Sequence, residues 1–267
     1  MKRSRSLRPT LVAALAAGAL ALHGCRGTDA SSTPAVRTVA IPGSDVTFEL
    51  VWIEDGGFWI GRREVTWEEY LVFCDFAERR RAEVDGMARP SRPLDVEPMD
   101  HGFGLGRHPV IGVSRNGAET YCRWLGAVTG EEYRLPTETE WTLACAPLVV
   151  DPELVVDAQS SQGATAEVGS RGADAHLLFD ALGNVAEYVS TPASPDAPKR
   201  ALSLGGSFRT ERAAFVDELG APRVPRLPFD PAWTLRDSNF PPGVWWVPDG
   251  DQLGFRILCA GPGPGAR

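Results

Sequence analysis

Apolar residues recur at helical spacing in three segments, and each segment begins at a residue that can cap a helix. The first runs from Thr66 to about Arg80, and the side chains of Thr66 and Glu69 form a capping box that satisfies free backbone N–H groups. The second runs from Ser114 to about Gly130, and the third begins at Thr137 with the same kind of box. The pattern therefore predicts three helices, whose apolar side chains are Tyr70, Phe73, Cys74 and Ala77, then Ala118, Tyr121, Cys122 and Leu125, then Trp141, Leu143, Ala144 and Cys145.

Short apolar runs lie between and after these helices, separated by loops rich in Gly and Pro. They predict short strands at Val46–Ile53, Phe58–Ile60, Ala201–Leu204 and Phe255–Leu258. No segment after residue 150 is convincingly helical. We therefore predict an α+β domain with little regular secondary structure and much surface built from loops.

The N-terminus has the pattern of an export signal. A basic stretch precedes an apolar run at residues 11–22 that is shorter than the ~20 residues of a spanning helix. The run ends in Leu22-His23-Gly24-Cys25, which resembles the bacterial lipobox, so we expect lipidation of Cys25; the alternative is an ordinary signal peptide followed by a stray cysteine. The predicted organisation is a signal peptide at 1–24, a Gly/Ser/Pro-rich tether at 25–44, a domain at 45–260 and a tail at 261–267.

Charge and cysteine content narrow the class of protein further. Loss of residues 1–24 removes four basic and no acidic residues, which takes the formal net charge from -8 to -12 and argues against nucleic acid as a partner. Apart from Cys25, four cysteines remain, at 74, 122, 145 and 259. An even number in an exported protein permits up to two disulfides, in three connectivities.

Six phrases in the chain occur in the order and spacing of one known family. They are FWIGRREVTWEEY from Phe58, HPVIGVS from His108, AETYCRWLGAVTGEEYRLPTETEW from Ala118, FDALGNVAEY from Phe179, LGGSF from Leu204 and LGFRI from Leu253. Together they resemble the formylglycine-generating enzyme family, also called the sulfatase-modifying factor domain. The resemblance implies a variant of the C-type-lectin-like fold, and it implies an oxidase only where the family's copper residues are present.

The copper residues are the first departure from the family pattern. In the oxidase branch, two cysteines lie three and eight residues after the serine of the GGS phrase and hold Cu(I) between thiolates. With Ser207 as that serine, these positions are Thr210 and Phe215, so we expect no copper and no sulfatase activation. The substrate groove, to which the resemblance assigns Ser207, Ala186 and Tyr188, also differs, because Ala186 and Tyr188 stand where the family commonly has tryptophan.

One family metal site has matching residues. The resemblance implies a structural calcium site made by the side chains of Asp180 and Glu187 and the backbone carbonyls of Gly183 and Val185. Such hard oxygen ligands suit Ca²⁺, and the alternative is an acidic, solvated loop.

The resemblance also implies a disulfide between Cys122 and Cys259, from the long helix to the C-terminal strand, although Cys259 lies two residues beyond the family position. Cys145 matches another half-cystine whose usual partner is missing, so it pairs with Cys74 or stays a buried thiol. The Val244-Trp245-Trp246 segment is expected to pack in the core rather than to bind a sugar or a peptide.

These expectations favour an exported protein that is lipid-anchored to the cell envelope and carries a non-catalytic binding or scaffold module. Its ligand would be a protein, a peptide or a glycan, and the lipid would be its contact with the membrane. The alternative is an enzyme of the same family, an oxidoreductase or a sulfatase-maturation protein, that uses other residues in the same groove.

Overall fold

The computed structural model describes residues 34–79, 100–146, 150–190, 202–234, 245–247 and 249–265. These segments contain three α-helices and nine β-strands. The helices are α1 (Trp67–Arg79), α2 (Arg115–Thr129) and α3 (Glu138–Cys145). The strands are β1 (Val36–Ala40), β2 (Thr47–Ile53), β3 (Phe58–Gly61), β4 (Tyr133–Arg134), β5 (Ala186–Tyr188), β6 (Leu202–Leu204), β7 (Arg226–Pro228), β8 (Leu253–Gly254) and β9 (Leu258–Cys259).

The three helices begin where the sequence predicts, because their capping side chains make the expected bonds. Ser114 Oγ accepts from the Gly117 N–H at 3.0 Å, and Gly130 ends α2 with φ +80°, a left-handed conformation that favours glycine. Thr137 caps α3 with a complete capping box. At α1, Thr66 Oγ1 accepts from the Glu69 N–H, so the first helix uses the same device.

The first sheet has the strand order β1-β2-β3-β9-β4. Its edge strand β1 lies inside the segment 25–44 predicted as a tether, so that boundary is wrong. Strand β1 pairs antiparallel with β2 from Val36–Val51 to Ala40–Thr47. Residues distant in sequence hold β1 in place. Its Arg37 forms an ion pair of 2.5 Å with Glu131 and lies over the Trp59 ring. A short strand without local signals therefore forms because its neighbours supply the contacts.

The second sheet has the order β7-β6-β5-β8, with β5 and β8 parallel and the other pairs antiparallel. Two apolar clusters fill the interior, one around α1 and α2 and the other beside α3. Residues 202–234 contain two short 3-10 turns, Arg212–Phe215 and Pro231–Thr234, and otherwise strands and loops. The α+β class with little regular secondary structure is confirmed.

The predicted signal peptide and Cys25 lie outside the described residues. In the part of the chain that the structure covers, no helix has the length and apolar character needed to cross a bilayer.

Candidate functional site

A buried ion pair joins the two sheets near the centre of the domain. Arg256 Nη2 donates to Glu187 Oε1 at 2.7 Å, and Arg256 Nε lies 3.0–3.1 Å from both Glu187 oxygens. The side chains of Arg256 and Glu187 are 0% and 1% exposed, and Trp141 Nε1 donates to Glu187 Oε2 at 2.7 Å. Arg256 also donates to the carbonyls of Gly61 and Phe179, so one guanidinium connects three parts of the chain.

The turn before β5 is held by a second buried carboxylate. Glu64 Oε1 accepts from the Val185 N–H at 3.0 Å and Glu64 Oε2 accepts from Asn184 Nδ2 at 2.6 Å. Asn184 has φ +51° and Gly183 has φ +82°, two consecutive left-handed residues. A Cβ at Gly183 would lie 2.3 Å from the Val156 carbonyl oxygen, so only glycine fits there.

The charges around this turn are unbalanced. Burial, with the nearby negative charges of Asp180 and Glu187, raises the pKa of Glu64 well above its usual value. Burial also raises the pKa of Asp180 to about 6. Asp180 Oδ2 accepts from the Gly169 N–H at 2.6 Å, whereas Oδ1 is buried and has no hydrogen-bond partner among the described residues. Three carboxylates, Glu64, Asp180 and Glu187, thus lie near the Arg256 guanidinium, Arg63 also lies near Asp180, and one carboxylate oxygen is unsatisfied.

The predicted calcium ligands are near one another but are engaged differently. Both Glu187 oxygens accept from Arg256, and one also accepts from Trp141. Across the residues that the structure describes, no three Asp, Glu, His or Cys side chains converge as a metal site. The predicted set has only two side chains, Asp180 and Glu187, beside the carbonyls of Gly183 and Val185, so calcium binding there stays a prediction for metal analysis.

The positions that would hold copper are filled by internal contacts. Thr210 Oγ1 accepts from the Ser207 N–H at 2.9 Å, and Thr210 N–H donates to the Ser207 carbonyl at 2.9 Å. The Phe215 ring is fully buried in the cluster beside α3. Gly206 has φ +70°, and a Cβ on it would lie 3.0–3.1 Å from Thr210 Oγ1 and the Phe215 ring. The segment is therefore a tight turn closed by a hydroxyl and sealed by an aromatic ring.

Ion pairs hold this turn against the rest of the domain. Arg212 Nε lies 2.6 Å from Asp157 Oδ2, and the Asp157 side chain is fully buried. Arg209 pairs with Asp251, which is also largely buried. Loops on both sides of the turn are thus fixed by ion pairs in which the carboxylates are buried and the arginine side chains are partly exposed.

The groove assignment of Ser207, Ala186 and Tyr188 is wrong as stated, because all three are at most 1% exposed. Ala186 and Tyr188 belong to the main apolar cluster, and Ser207 Oγ donates to Gln252 Oε1 at 3.0 Å. Side chains with this burial cannot line an open groove. Ala186 and Tyr188 of the GNVAEY phrase, which stand where the family commonly has tryptophan, are therefore packing residues in this chain.

The predicted Cys122–Cys259 disulfide does not occur in the structure, where all four cysteines at 74, 122, 145 and 259 are thiols. Ile257, at the family position, and Cys259 both lie in the core cluster that contains Cys122. Strand β9 begins only at Leu258, so strand alternation does not bring Cys259 to the place of Ile257. Cys259 Sγ instead lies 3.2 Å from Arg37 Nη2 and 3.1 Å from Glu131 Oε2. Of the two alternatives for Cys145, the structure has the buried thiol.

The tryptophan pair packs in the core as predicted. Trp245 and Trp246 are 7% and 4% exposed, and Trp246 stacks on Trp67 with ring centroids 6.2 Å apart. By contrast, the roles of Glu64 and Arg256 were not predicted from the sequence. The available signal was a charged residue inside an apolar phrase, such as Arg256 in LGFRI, since a buried charge requires a partner.

Comparison with known proteins agrees with this architecture. Residues 31–148 match the model of the sulfatase-modifying factor enzyme 1-like domain. The serine/threonine-protein kinases Pkn1 of Chlamydia caviae and Chlamydia trachomatis are each 29% identical to this chain, over 52% and 53% of it, and the aligned parts are 27% and 26% of those proteins. This chain therefore corresponds to about a quarter of the length of these relatives.

Among solved structures, Treponema denticola variable protein 1 has a similar fold, with a TM-score of 0.55 and 18% identity over 86% of this chain and all of that one. The fold, the six phrases and the family match are consistent with one another. Residues 31–148 thus match the sulfatase-modifying factor enzyme 1-like family, and the fold of the described residues agrees with that match.

Proposed function

We propose that the protein is a binding or scaffold module of the cell envelope built on the sulfatase-modifying factor fold, and that it does not oxidise cysteine. The observation that carries this proposal is the filled turn at Ser207–Phe215. A copper oxidase of this family needs two soft thiolates there, whereas this chain has the Thr210 hydroxyl and the Phe215 ring.

The local contacts argue against copper binding at these two positions, even after a small displacement of the turn. Thr210 Oγ1 is already used as an acceptor by the Ser207 N–H, and Phe215 has no exposed surface. Replacing this ring by a metal would open a cavity and break the turn that Gly206 allows. Thr210 and Phe215, at the positions that hold copper in the oxidases of the family, therefore stabilise the turn in this chain.

The longer relatives give a second line of support. The matched part of each Pkn1 protein is only about a quarter of a chain that is named a protein kinase. A fold that occurs as one part of a larger protein suits a role in recognition or attachment, which another part of the assembly then uses.

Mass spectrometry of a sulfatase-type Cys peptide tests this proposal. We expect no formylglycine after incubation with the purified protein, with or without Cu(I), while a family member that has both copper cysteines converts the same peptide. Formylglycine produced by the unmodified protein would refute the proposed function. The Thr210→Cys, Phe215→Cys double variant would show whether restored thiolates bind Cu(I) in this turn.

We propose that the protein is attached to the membrane through a lipid on Cys25, because Leu22-His23-Gly24-Cys25 ends the apolar run. Cys25→Ser should release the protein from membranes or leave its precursor uncleaved, whereas the nearby Ser31→Ala should change neither. Several acyl chains would make the attachment stable, since a single chain binds only marginally. Membrane attachment of Cys25→Ser equal to that of the wild type would exclude lipidation.

An enzyme with other chemistry is the second candidate, favoured by the buried carboxylates Glu64 and Asp180. Groups with raised pKa values that face a strained turn often lie in active sites, although structural ion pairs have the same property. Metal analysis of the purified protein separates the two candidates: stoichiometric iron or copper would favour the enzyme, and calcium alone would favour the module.

A further inference from the structure

The end of the described chain crosses the first sheet beside two tryptophans. Residues 261–265 have the sequence Gly-Pro-Gly-Pro-Gly and begin two positions after Cys259, the last residue of β9. Trp59 Nε1 donates to the Pro262 carbonyl at 2.8 Å. A Cβ on Gly263 would lie 2.9 Å from the Trp52 ring, so the glycine backbone packs directly against this indole. We call residues 261–265 the C-terminal strap.

The two tryptophans under the strap are held in place by other contacts. Trp52 of β2 and Trp59 of β3 lie opposite each other in the antiparallel pair, with ring centroids 5.3 Å apart and an interplanar angle of 58°. Trp52 Nε1 donates to Glu54 Oε2 at 2.6 Å, and the Arg37 guanidinium lies 4.7 Å from the centroid of the Trp59 ring. These contacts orient both indoles without the strap. We call Trp52, Trp59 and Arg37 the tryptophan platform.

The strap meets the platform through groups that other proline- and glycine-rich segments also have. Its hydrogen bond uses the main-chain carbonyl of Pro262, and its contact with Trp52 uses a residue that has no side chain. Proline fixes φ near about -65° and has no N–H, so such a segment is already extended and loses little conformational freedom on binding. Aromatic-lined grooves bind proline-rich segments for this reason. The platform therefore suits a type of sequence rather than this one segment.

The strap is held loosely enough to be displaced. Pro262, Pro264 and Gly265 are exposed, whereas Trp59 beneath them is buried. A hydrogen bond between neutral groups contributes little net stability, because water replaces it when the strap leaves. A segment tethered this closely to its site has an effective concentration of about millimolar. The strap therefore covers the platform at rest but competes only modestly with a ligand from outside.

We propose that the tryptophan platform is a docking site for an extended proline- and glycine-rich segment of a partner protein, and that the C-terminal strap occupies this site until the partner displaces it. The proposal gives a partner class to the binding module proposed above and rests on that function. A peptide is favoured over a glycan, because the occupant seen on the platform is a peptide whose carbonyl accepts from the indole N–H. The strap of a second copy has the same chemistry, and the oligomeric state distinguishes it from a partner.

Calorimetric titration of the full chain tests the proposal, with a blocked peptide of four Gly-Pro repeats as the probe. Gly263→Val should displace the strap, since the new side chain would overlap the Trp52 ring. We expect this variant to bind the peptide about tenfold more tightly than the wild type, because the platform is then open in nearly every molecule. The matched control Ala260→Val enlarges an exposed residue just before the strap and should bind as the wild type does. A blocked peptide of four Gly-Ala repeats should bind about tenfold more weakly, because it is not pre-organised.

A second variant and a second measurement locate the binding. In the Gly263→Val background, Trp52→Ala should abolish peptide binding, because it removes the indole on which the ligand packs. In NMR spectra of Gly263→Val, the indole N–H signal of Trp59 should shift from its wild-type position and return towards it when the peptide is added. The NMR measurement does not require the Trp52 variant to fold.

The proposal is overturned if Gly263→Val binds the peptide no more tightly than the wild type, if the alanine peptide binds equally well, or if the Trp59 signal does not respond to the peptide. Dimers of the wild-type chain that Gly263→Val dissociates would show exchange of straps between copies, which would also overturn it. Formylglycine formation would refute the proposed function but would leave peptide binding measurable, so the two failures are distinguishable.

Discussion

Removing the buried guanidinium of Arg256 should be among the most damaging single changes in this domain. Arg256→Met keeps much of the side-chain volume but removes the charge opposite Glu187. It also removes the donors to the Gly61 and Phe179 carbonyls, which lie 2.8 and 2.9 Å from the guanidinium nitrogens. The Glu187 carboxylate would then retain the Trp141 N–H as its one donor of those seen around it in the structure.

The expected loss follows from the burial of both partners. Breaking a buried ion pair by removing one side costs about 3–5 kcal/mol, because an uncompensated charge stays in the interior. Glu187→Gln should cost a similar amount, since it leaves Arg256 charged while its amide can still accept from Trp141. The double variant Glu187→Gln, Arg256→Met removes both charges. Its cost should therefore be lower than the sum of the single costs by about 2–3 kcal/mol.

Urea unfolding followed by tryptophan fluorescence gives the three free energies of unfolding, and equal m values would show that the unfolding transition is comparable in each variant. Since domains of this kind have a total stability of about 5–15 kcal/mol, each single variant should have a much lower urea midpoint. A cost below about 1 kcal/mol for Arg256→Met, or additive costs in the double variant, would contradict the role assigned to this pair.

Three further changes test other parts of the fold. Burial raises the pKa of Glu69 to about 7 from 4.5, so the folded state favours the protonated carboxyl. The stabilisation of the fold by protonated Glu69 is full below pH 4.5 and is lost as the pH rises through about 7. Glu69→Gln should therefore be more stable than the wild type at pH 8, by up to about 3 kcal/mol in urea unfolding, whereas the partly exposed Glu68→Gln should not. Gly117→Ala should lower the free energy of unfolding by about 1–3 kcal/mol, because the new Cβ would lie 2.9 Å from Tyr70 Oη and equally near other core atoms; an unchanged melting temperature would contradict this packing. Phe215→Ala should cost about 3–5 kcal/mol and Phe215→Leu much less, and equal melting temperatures for the two would show that the ring does not seal the turn.

The helices and the fold class could be predicted from the sequence because their causes are local. Thr66, Ser114 and Thr137 cap helices through bonds to residues three positions away, and Gly130 ends α2 through its own backbone freedom. Such short-range signals do not depend on the rest of the molecule. The family phrases likewise indicated the fold, because their order and spacing are properties of the chain itself.

The partners of buried groups were decided only by the tertiary structure. Glu64 reaches Asn184 across 120 positions, and Arg256 reaches Glu187 across 69. No local pattern encodes such distances, so the calcium ligand set and the groove were assigned by resemblance, and Glu187, Ala186 and Tyr188 proved to have other neighbours.

The predicted disulfide and the predicted tether boundary both differ from the structure, and for the same physical reason. The side-chain direction of Cys259 depends on where β9 begins, and that is set by its pairing with Trp59 of β3 and Tyr133 of β4. Strand β1 exists because β2 offers it a partner edge. Local sequence determined where the helices start and which residues are apolar. The arrangement of distant segments decided which buried charges, thiols and strand edges meet, because these contacts gain free energy only after the chain has folded.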